Sequence, residues 1–315
     1  MDYATRSMRP GPVSAYSAAH APVRTTISVV IVSCNEADVI EPCLQSVAGW
    51  ADEIVVVDMY SSDGTRDIVR RYTDRLFDHE RLPFVEPARN DAFAHARGDW
   101  ILMLDPDERV PATLAHELRR IATLNMVDVV IVPRQQIMFG KVARSRGAGD
   151  GMHPRFFRRG SLSWPSTIHA MPDISHMRSQ ELPLERSDLW LLHDTWRSVT
   201  DVLEKFIRYV PQEVDKLHAS GQHFTFRGLL RATLGQFVYR MIRGRAYEDG
   251  VAGFLAAMYF TIYAFTIQAA LWESEGRPTN FDHQVIRWGR RLKNVYSVTT
   301  LRGILIPTRR TRNKK

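Results

Sequence analysis

Three polar clusters each follow an apolar run, and their residue types suit one kind of chemistry. Ser33, Cys34, Asn35 and Glu36 follow ISVVIV at 27–32. Asp58, and then Ser61-Ser62-Asp63-Gly64-Thr65, follow IVVV at 54–57. Asp105-Pro106-Asp107-Glu108 follows WILML at 100–104. Two carboxylates on the end of an apolar strand, with a proline turning the chain between them, suit a hard divalent cation. Mg²⁺ and Mn²⁺ take oxygen ligands and commonly bridge one or two carboxylates to substrate phosphates. The Asp-x-Asp tripeptide carries little weight by itself, because 21 Asp in 315 residues give roughly one by chance. Its place after an apolar strand gives it meaning. Asp107 is also suited to cap the helix expected from residue 110.

Other phosphate and metal sites fit worse. There is no Gly-x-x-x-x-Gly-Lys-Ser/Thr run, and the Gly-rich patch at 147–151 follows no strand and opens no helix. The two cysteines, Cys34 and Cys43, support neither a multi-disulfide framework nor a Cys-x-x-Cys zinc site.

The elements that must position these clusters follow from the hydrophobic pattern. Apolar runs at 27–32, 54–57, 100–104 and 127–132 read as strands. Helical spacing is seen at 38–49, 65–72, 90–97 and 110–124. This alternation predicts an α/β domain with a mostly parallel sheet, whose carboxyl edge gathers all three clusters. Residues 134–195, rich in Arg, Gly, Pro, His and Trp, predict short irregular strands at best. From 198 onward the chain reads as helical, over 198–219, 226–243 and 250–272.

SVVIVSCNEADVIEPCLQSV, ADEIVVVDMYSSDGT and ARNDAFAHARGDWILMLDPDE together resemble the nucleotide-binding half of a family 2 glycosyltransferase with the GT-A fold. More narrowly, the chain is similar to bacterial lipopolysaccharide core β-glucosyltransferases. The resemblance continues more weakly through HPRFFRRGSLSWPSTIHA and LLHDTWRSVTDVLEKFIRYV. It implies that Ser33, Asn35 and Glu36 line the nucleotide pocket and that Asp58 contacts the base or ribose of a uridine-type donor. Asp105 and Asp107 would hold ribose and a divalent metal, Mg²⁺ or Mn²⁺, and Arg89 and Asn90 would help close the sugar and phosphate site. Two departures stand out: Met59, Tyr60 and Ser62 interrupt the pattern after the second strand, and His169 is followed by Ala170 where the family has a carboxylate.

Transfer from such a donor develops negative charge on the departing diphosphate, which a cation and arginines stabilise. The attacking acceptor hydroxyl, arriving from the opposite face, must give its proton to a base. Asp150 on the Gly-rich loop is the first candidate, followed by His169, Asp173 and Glu108; His169 also suits a donor to the diphosphate or a buried structural histidine. Arg155, Arg158 and Arg159 suit either an anionic ligand or a solvated loop edge. His193, before Asp194, resembles a histidine that recurs in the family, and packing is the role favoured for it. Trp164, Trp190 and Trp196 read as core or as sugar-stacking rings.

The net charge of +7 is uneven: 277–315 holds eleven Lys or Arg and one acid, Asp282, which is +10, so the rest sums to 7 − 10 = −3. Such a tail is expected to meet phosphate, the alternative being a solvated tail that aids solubility. With no nucleic-acid motif or interleaved aromatic platform, anionic lipid is the partner expected, and no nucleic acid. The uncharged run at 251–272 is long enough to span a bilayer, but basic residues flank it on both sides, so an interfacial or buried helix is favoured over a span and over a soluble core helix. The expected organisation is a disordered lead-in at 1–26 with no secretory signal, a catalytic domain at 27–197 (nucleotide-binding half 27–133, acceptor half 134–197), a helical membrane-associated region at 198–276 and a basic tail at 277–315. The expected location is the cytoplasm, peripheral on the inner face of the cell membrane. The expected partners are a nucleotide-sugar donor and a saccharide or lipid-linked acceptor; a catalytically silent GT-A-like scaffold is the alternative.

Overall fold

The computed structural model describes residues 24–144, 151–166 and 170–295. Asp150, His169, the lead-in to residue 23 and the tail beyond 295 lie outside the described residues.

Strands β1 (Ile27–Ser33), β2 (Glu53–Asp58), β3 (Leu76–Asp78) and β4 (Trp100–Leu104) run parallel in the order β3-β2-β1-β4. Every residue of β1 and β4 is buried, as strands covered on both faces require. The period of two divides them between two cores. Ile27, Val29 and Ile31 join Trp100, Leu102 and Leu104 on one face; Val30 and Val32 join Ile101 and Met103 on the other. Helices α1 (Ile40–Ala48) and α4 (Ala112–Leu124) cover the first face with residues at helical spacing, among them Ile40, Leu44, Val47, Leu114, Leu118 and Ile121. Between them lies the short α2 (Thr65–Val69), and α3 (Arg89–His95) covers the second face with Ala92 and Phe93.

Two departures from the sequence reading affect the site. The turn after β4 leads into a two-residue strand, β5 (Glu108–Arg109), and α4 begins later, after Pro111 in extended conformation, so Asp107 is not its cap. The segment expected to be irregular supplies ordered strands. β6 (Val129–Met138) runs ten residues and pairs at its far end with β7 (Lys141–Val142), while β8 (Met152–Arg158) inserts antiparallel between β4 and β6. β8 is hidden in the sequence because Arg155, polar by type, is buried against the carboxylates of Asp105 and Glu108 and does not meet water. β9 (Ser179–Glu181) and β10 (Leu191–Trp196) pair parallel with β6, and β10 also takes β5 antiparallel.

The C-terminal part is helical as expected. α5 (Val199–Ala219) starts at Ser198, whose hydroxyl accepts from the Asp201 N–H. α6 (Phe226–Val238) runs into a π-helical turn, Tyr239–Arg243, and α7 (Gly250–Ser274) packs on α5 and α6. Trp196, Val202, Met138 and Ala256 form one small core that ties the sheet to these helices, so Trp196 is a packing residue. Within the expected tail, Asp282–Val295 forms a further helix, α8.

Candidate active site

The ends of β1 and β2 are tied into one loop system. The Asn35 N–H donates to Ser61 Oγ (2.7 Å) and Asn35 Oδ1 accepts from the Ser62 N–H (2.8 Å). The Glu36 N–H donates to Thr65 Oγ1 (2.8 Å), and the Ala37 N–H to Asp63 (3.0 Å). Asn35 and Tyr60 both adopt positive φ, the sharp turn that lets the two loops meet. Asp58 is completely buried beneath them. One of its oxygens accepts from the Ser33 and Ser61 hydroxyls (3.0 and 2.6 Å); the other accepts from the Ser61 N–H (2.8 Å) and Arg66 (2.9 Å). Both oxygens of Asp58 therefore serve the loop, and the exposed Tyr60 ring stands above it.

The end of β4 is built differently. Asp105 accepts from Arg89 on one oxygen (2.9 Å) and from Arg155 on the other (2.5 Å). Arg155 also donates to the fully buried Glu108 (2.7 Å), whose second oxygen accepts the Asp105 N–H (2.9 Å). Burial pushes the Asp105 carboxyl up, but Arg155 and Arg89 outweigh it and hold it well below the usual carboxylate range. Arg155 is thus a buried structural cation, not a loop-edge arginine. Arg158 and Arg159 hold backbone carbonyls of Val127 and Gly98. Glu108 is sealed from any acceptor. Arg89 also lies over the buried Trp164 ring, 4.8 Å from its centroid, and the Asn90 amide both donates to and accepts from the Trp164 backbone at 2.8 Å. These two residues fix the wall of the site.

Asp107 is held loosely. Its closest charged partners are His193 Nε2 at 3.4 Å and Lys205 Nζ at 3.7 Å. β5–β10 pairing puts His193 there, opposite Glu108, so the reading of His193 as mere packing is corrected. Gln136 Nε2 donates to His193 Nδ1 (2.9 Å), while the Thr195 hydroxyl donates to Gln136 Oε1 (2.5 Å). This relay leaves the His193 Nε2 proton facing Asp107. Burial pushes Asp107 up, but His193 and Lys205 overcome it and lower its carboxyl. Glu36, half-buried nearby, goes the other way: burial first and the Asp107 charge second push it up to about 7, against the pull of Lys205, Arg197 and Arg208. Two adjacent carboxylates, one loosely paired and one driven toward protonation, suit a divalent cation. Among the described residues no three His, Cys, Asp or Glu side chains form a ready-made cage. A cation that keeps waters and substrate phosphates as its other ligands needs only Asp107.

Two further residues escaped the sequence reading. His153 on β8 is held neutral, its imidazole pushed down to about 2 by burial and by Arg134 and Arg155, and is no base near neutral pH. Lys205 reaches the site from α5, where the sequence reading placed a helix but no site residue. Asp173 is exposed and closes a turn onto the Ser175 N–H (2.9 Å).

The family model of glycosyl transferase family 2 matches residues 28–182. Similarity extends to the lipopolysaccharide core biosynthesis glycosyltransferase LpsC of Rhizobium meliloti, 24% identical over 260 residues, which cover 78% of this chain and 92% of LpsC. A TPR repeat-containing protein of Synechococcus elongatus is 31% identical over 156 residues, and the match spans 49% of this chain but only 37% of that protein. Among solved structures, S. aureus TarS 1-349 in complex with UDP-GlcNAc matches with a TM-score of 0.44 at 16% identity, covering 76% of this chain and 82% of the other. The mannosyltransferase PcManGT from Pyrobaculum calidifontis, in complex with GDP-Man and Mn²⁺, matches with 0.42 at 19% identity, covering 87% and 81%. The architecture is mixed α/β, a mostly parallel sheet with C-terminal helices, and residues 28–182 form a glycosyl transferase family 2 domain.

Proposed function

We propose that this glycosyltransferase moves a sugar, with inversion, from a UDP-sugar to a saccharide or lipid-linked acceptor in cell-envelope glycan synthesis, working peripherally on the cytoplasmic face of the membrane. The observation that carries the donor half of this reading is the loosely held Asp107 at the strand edge, beside the interlocked Asn35–Thr65 loops. The similarity to LpsC over 92% of its length supports the envelope acceptor.

In this reading the nucleoside lies on the loops after β1 and β2, against Ser33, Asn35 and Glu36. Asp58 keeps those loops in shape from below, since both its oxygens are engaged. Asp107 would hold Mg²⁺ or Mn²⁺, which when bound supplies positive charge for the departing diphosphate. Asp105, fixed by Arg89 and Arg155, sets the direction of the turn that presents Asp107. Asp150 would take the acceptor hydroxyl's proton and His169 would donate to the diphosphate, both from segments outside the described residues.

Membrane association draws support from the helices. No residue of α6 is buried, and Leu234, Val238, Tyr239 and Ile242 are exposed along it and the π turn. The stretch Ala246–Ser274 is long and apolar enough to cross a membrane, and only 17% of its most apolar window is buried. Arg227, Arg231, Arg240 and Arg243 are interspersed, the pattern of an interfacial helix.

The deciding experiment is a calorimetric and hydrolytic screen of the purified protein against UDP- and GDP-sugars with Mn²⁺. Binding and slow release of UDP from one UDP-sugar is the expected result. If no nucleotide sugar binds or is hydrolysed, the reading fails.

A further inference from the structure

We propose that Lys205, on the first of the C-terminal helices, is the protein cation that receives the donor's diphosphate, so that α5 belongs to the donor site. The proposal rests on the nucleotide-sugar reading above.

Three observations carry it. First, the two arginines that hold Asp105 are already committed. Arg155 is shared by Asp105 and Glu108 at hydrogen-bond distance, and Arg89 is held by Asp105 and the Trp164 ring. An arginine locked into buried carboxylates does not swing out to meet a ligand without leaving those charges unpaired.

Second, Lys205 is poised and not satisfied. Its ammonium donates one hydrogen bond, to the Thr195 carbonyl (2.9 Å), which anchors it over the site. Its two carboxylate neighbours, Asp201 at 3.5 Å and Asp107 at 3.7 Å, lie beyond normal hydrogen-bond length. The side chain is 28% exposed. A lysine ammonium has three donors, so two remain for an incoming anion.

Third, α5 presents a whole face to the strand edge. Asp201, Lys205, Arg208 and Tyr209 follow at intervals of four, three and one, which places them on one side of a helix. The charges of Lys205 and Arg208 both act on Glu36, and Tyr209, largely buried, feels Asp105 and Asp107. Acids on the strand ends and bases on the helix thus face each other across the place where a diphosphate chelated at Asp107 would lie.

In the transfer step the bond from the anomeric carbon to the β-phosphoryl oxygen breaks, and its electron pair stays on the nucleoside diphosphate. The acceptor oxygen forms the new bond to that carbon and loses its proton to the base. Lys205 makes no bond in this step. Its ammonium lies against the oxygen that gains charge, where a charge-assisted hydrogen bond is strongest.

The test uses the full chain in the presence of EDTA, which isolates the lysine from any metal. UDP and uridine are titrated by calorimetry into the wild type, Lys205→Met and Lys205→Arg. The expected result is that Lys205→Met weakens UDP binding by roughly tenfold or more while uridine binding is unchanged, and that Lys205→Arg keeps most of the UDP affinity. Unaltered UDP binding in Lys205→Met, or equal losses for UDP and uridine, overturns the proposal; the second outcome would mark Lys205 as a support of the β10–α5 joint only. A wild type that binds neither UDP nor GDP when Mn²⁺ replaces the EDTA removes the donor reading itself, a result distinct from a wild type that binds UDP and a variant that binds it equally well.

Discussion

At the scale of single residues, the site separates carboxylates by their surroundings. Asp105 and Glu108 are held by arginines, Asp58 by hydroxyls, a backbone amide and Arg66, and Asp107 by two distant cations. Removing the charge of Asp107 should therefore affect ligands more than the fold. Asp107→Asn is expected to lose at least a hundredfold in transfer and to abolish Mn²⁺-dependent tightening of UDP binding, with an unfolding midpoint close to wild type. Unchanged turnover would exclude Asp107 as the metal residue. Glu36 gives a pH signature. Its carboxyl is raised from 4.5 to about 7 in the fold, so between those values the folded chain keeps a proton that the unfolded chain has released. Stability in metal-free buffer must then fall as pH rises through that window. Glu36→Gln should flatten this component, visible as a smaller difference between urea midpoints at about pH 5 and about pH 7.5 than wild type shows. An identical pH dependence in the two proteins would contradict the assignment.

At the scale of elements, β8 decides how the catalytic edge is held. It enters antiparallel between β4 and β6, stacks Phe156 on Trp100 with ring centroids 4.6 Å apart, and carries Arg155 under the turn between β4 and β5. That turn brings two carboxylates close together in a buried place, and the fold tolerates this because one guanidinium bridges them. Arg155→Met keeps the bulk and removes the bridge, leaving buried Glu108 with Arg134 at 3.4 Å. Breaking a buried pair by removing one partner typically costs about 3–5 kcal/mol. Chemical denaturation should show a loss of that order, together with weaker nucleotide binding as the turn loosens. A loss below about 1 kcal/mol would mean that the Asp105–Glu108 turn holds its shape without β8.

At the scale of the whole molecule, α5 joins two surfaces of different character. One side faces the strand edge through Lys205; the other packs against α7 through Val210 and Val214, in a cluster with Phe224 and Leu271. α6, α7 and α8 turn exposed apolar side chains outward, Val251, Phe254, Ile262, Phe265, Ile286 and Trp288 among them. A basic, apolar surface of this kind gains about 1 kcal/mol per Lys or Arg near anionic headgroups, in addition to its unscreened apolar contact. The expected outcome is flotation of the full-length protein with vesicles containing anionic lipid, reduced but not abolished by salt. Protein that stays at the bottom of the gradient with anionic and neutral vesicles alike, and is soluble without detergent, would refute the membrane assignment.

Local pattern was enough to place β1, β2 and β4, because strands buried on both faces must be apolar throughout, and their polar ends then mark the edge where Ser33, Asp58, Asp105 and Asp107 gather. It was enough, too, for α5, α6 and α7, whose helical spacing is long and regular. Pairing between distant charges was beyond it. Arg155 lies 50 residues from Asp105, and its run reads as meeting an anionic ligand or as a solvated loop edge, because the sequence does not record that Arg155 meets the protein's own carboxylates. His193 and Lys205 reach Asp107 only because β10 pairs with β5 and α5 then folds back over the edge. Periodicity reports whether a side chain faces protein or water. Which charge neutralises which is settled by the register of β8 and β10 and by the packing of α5, and those exist only in the folded chain.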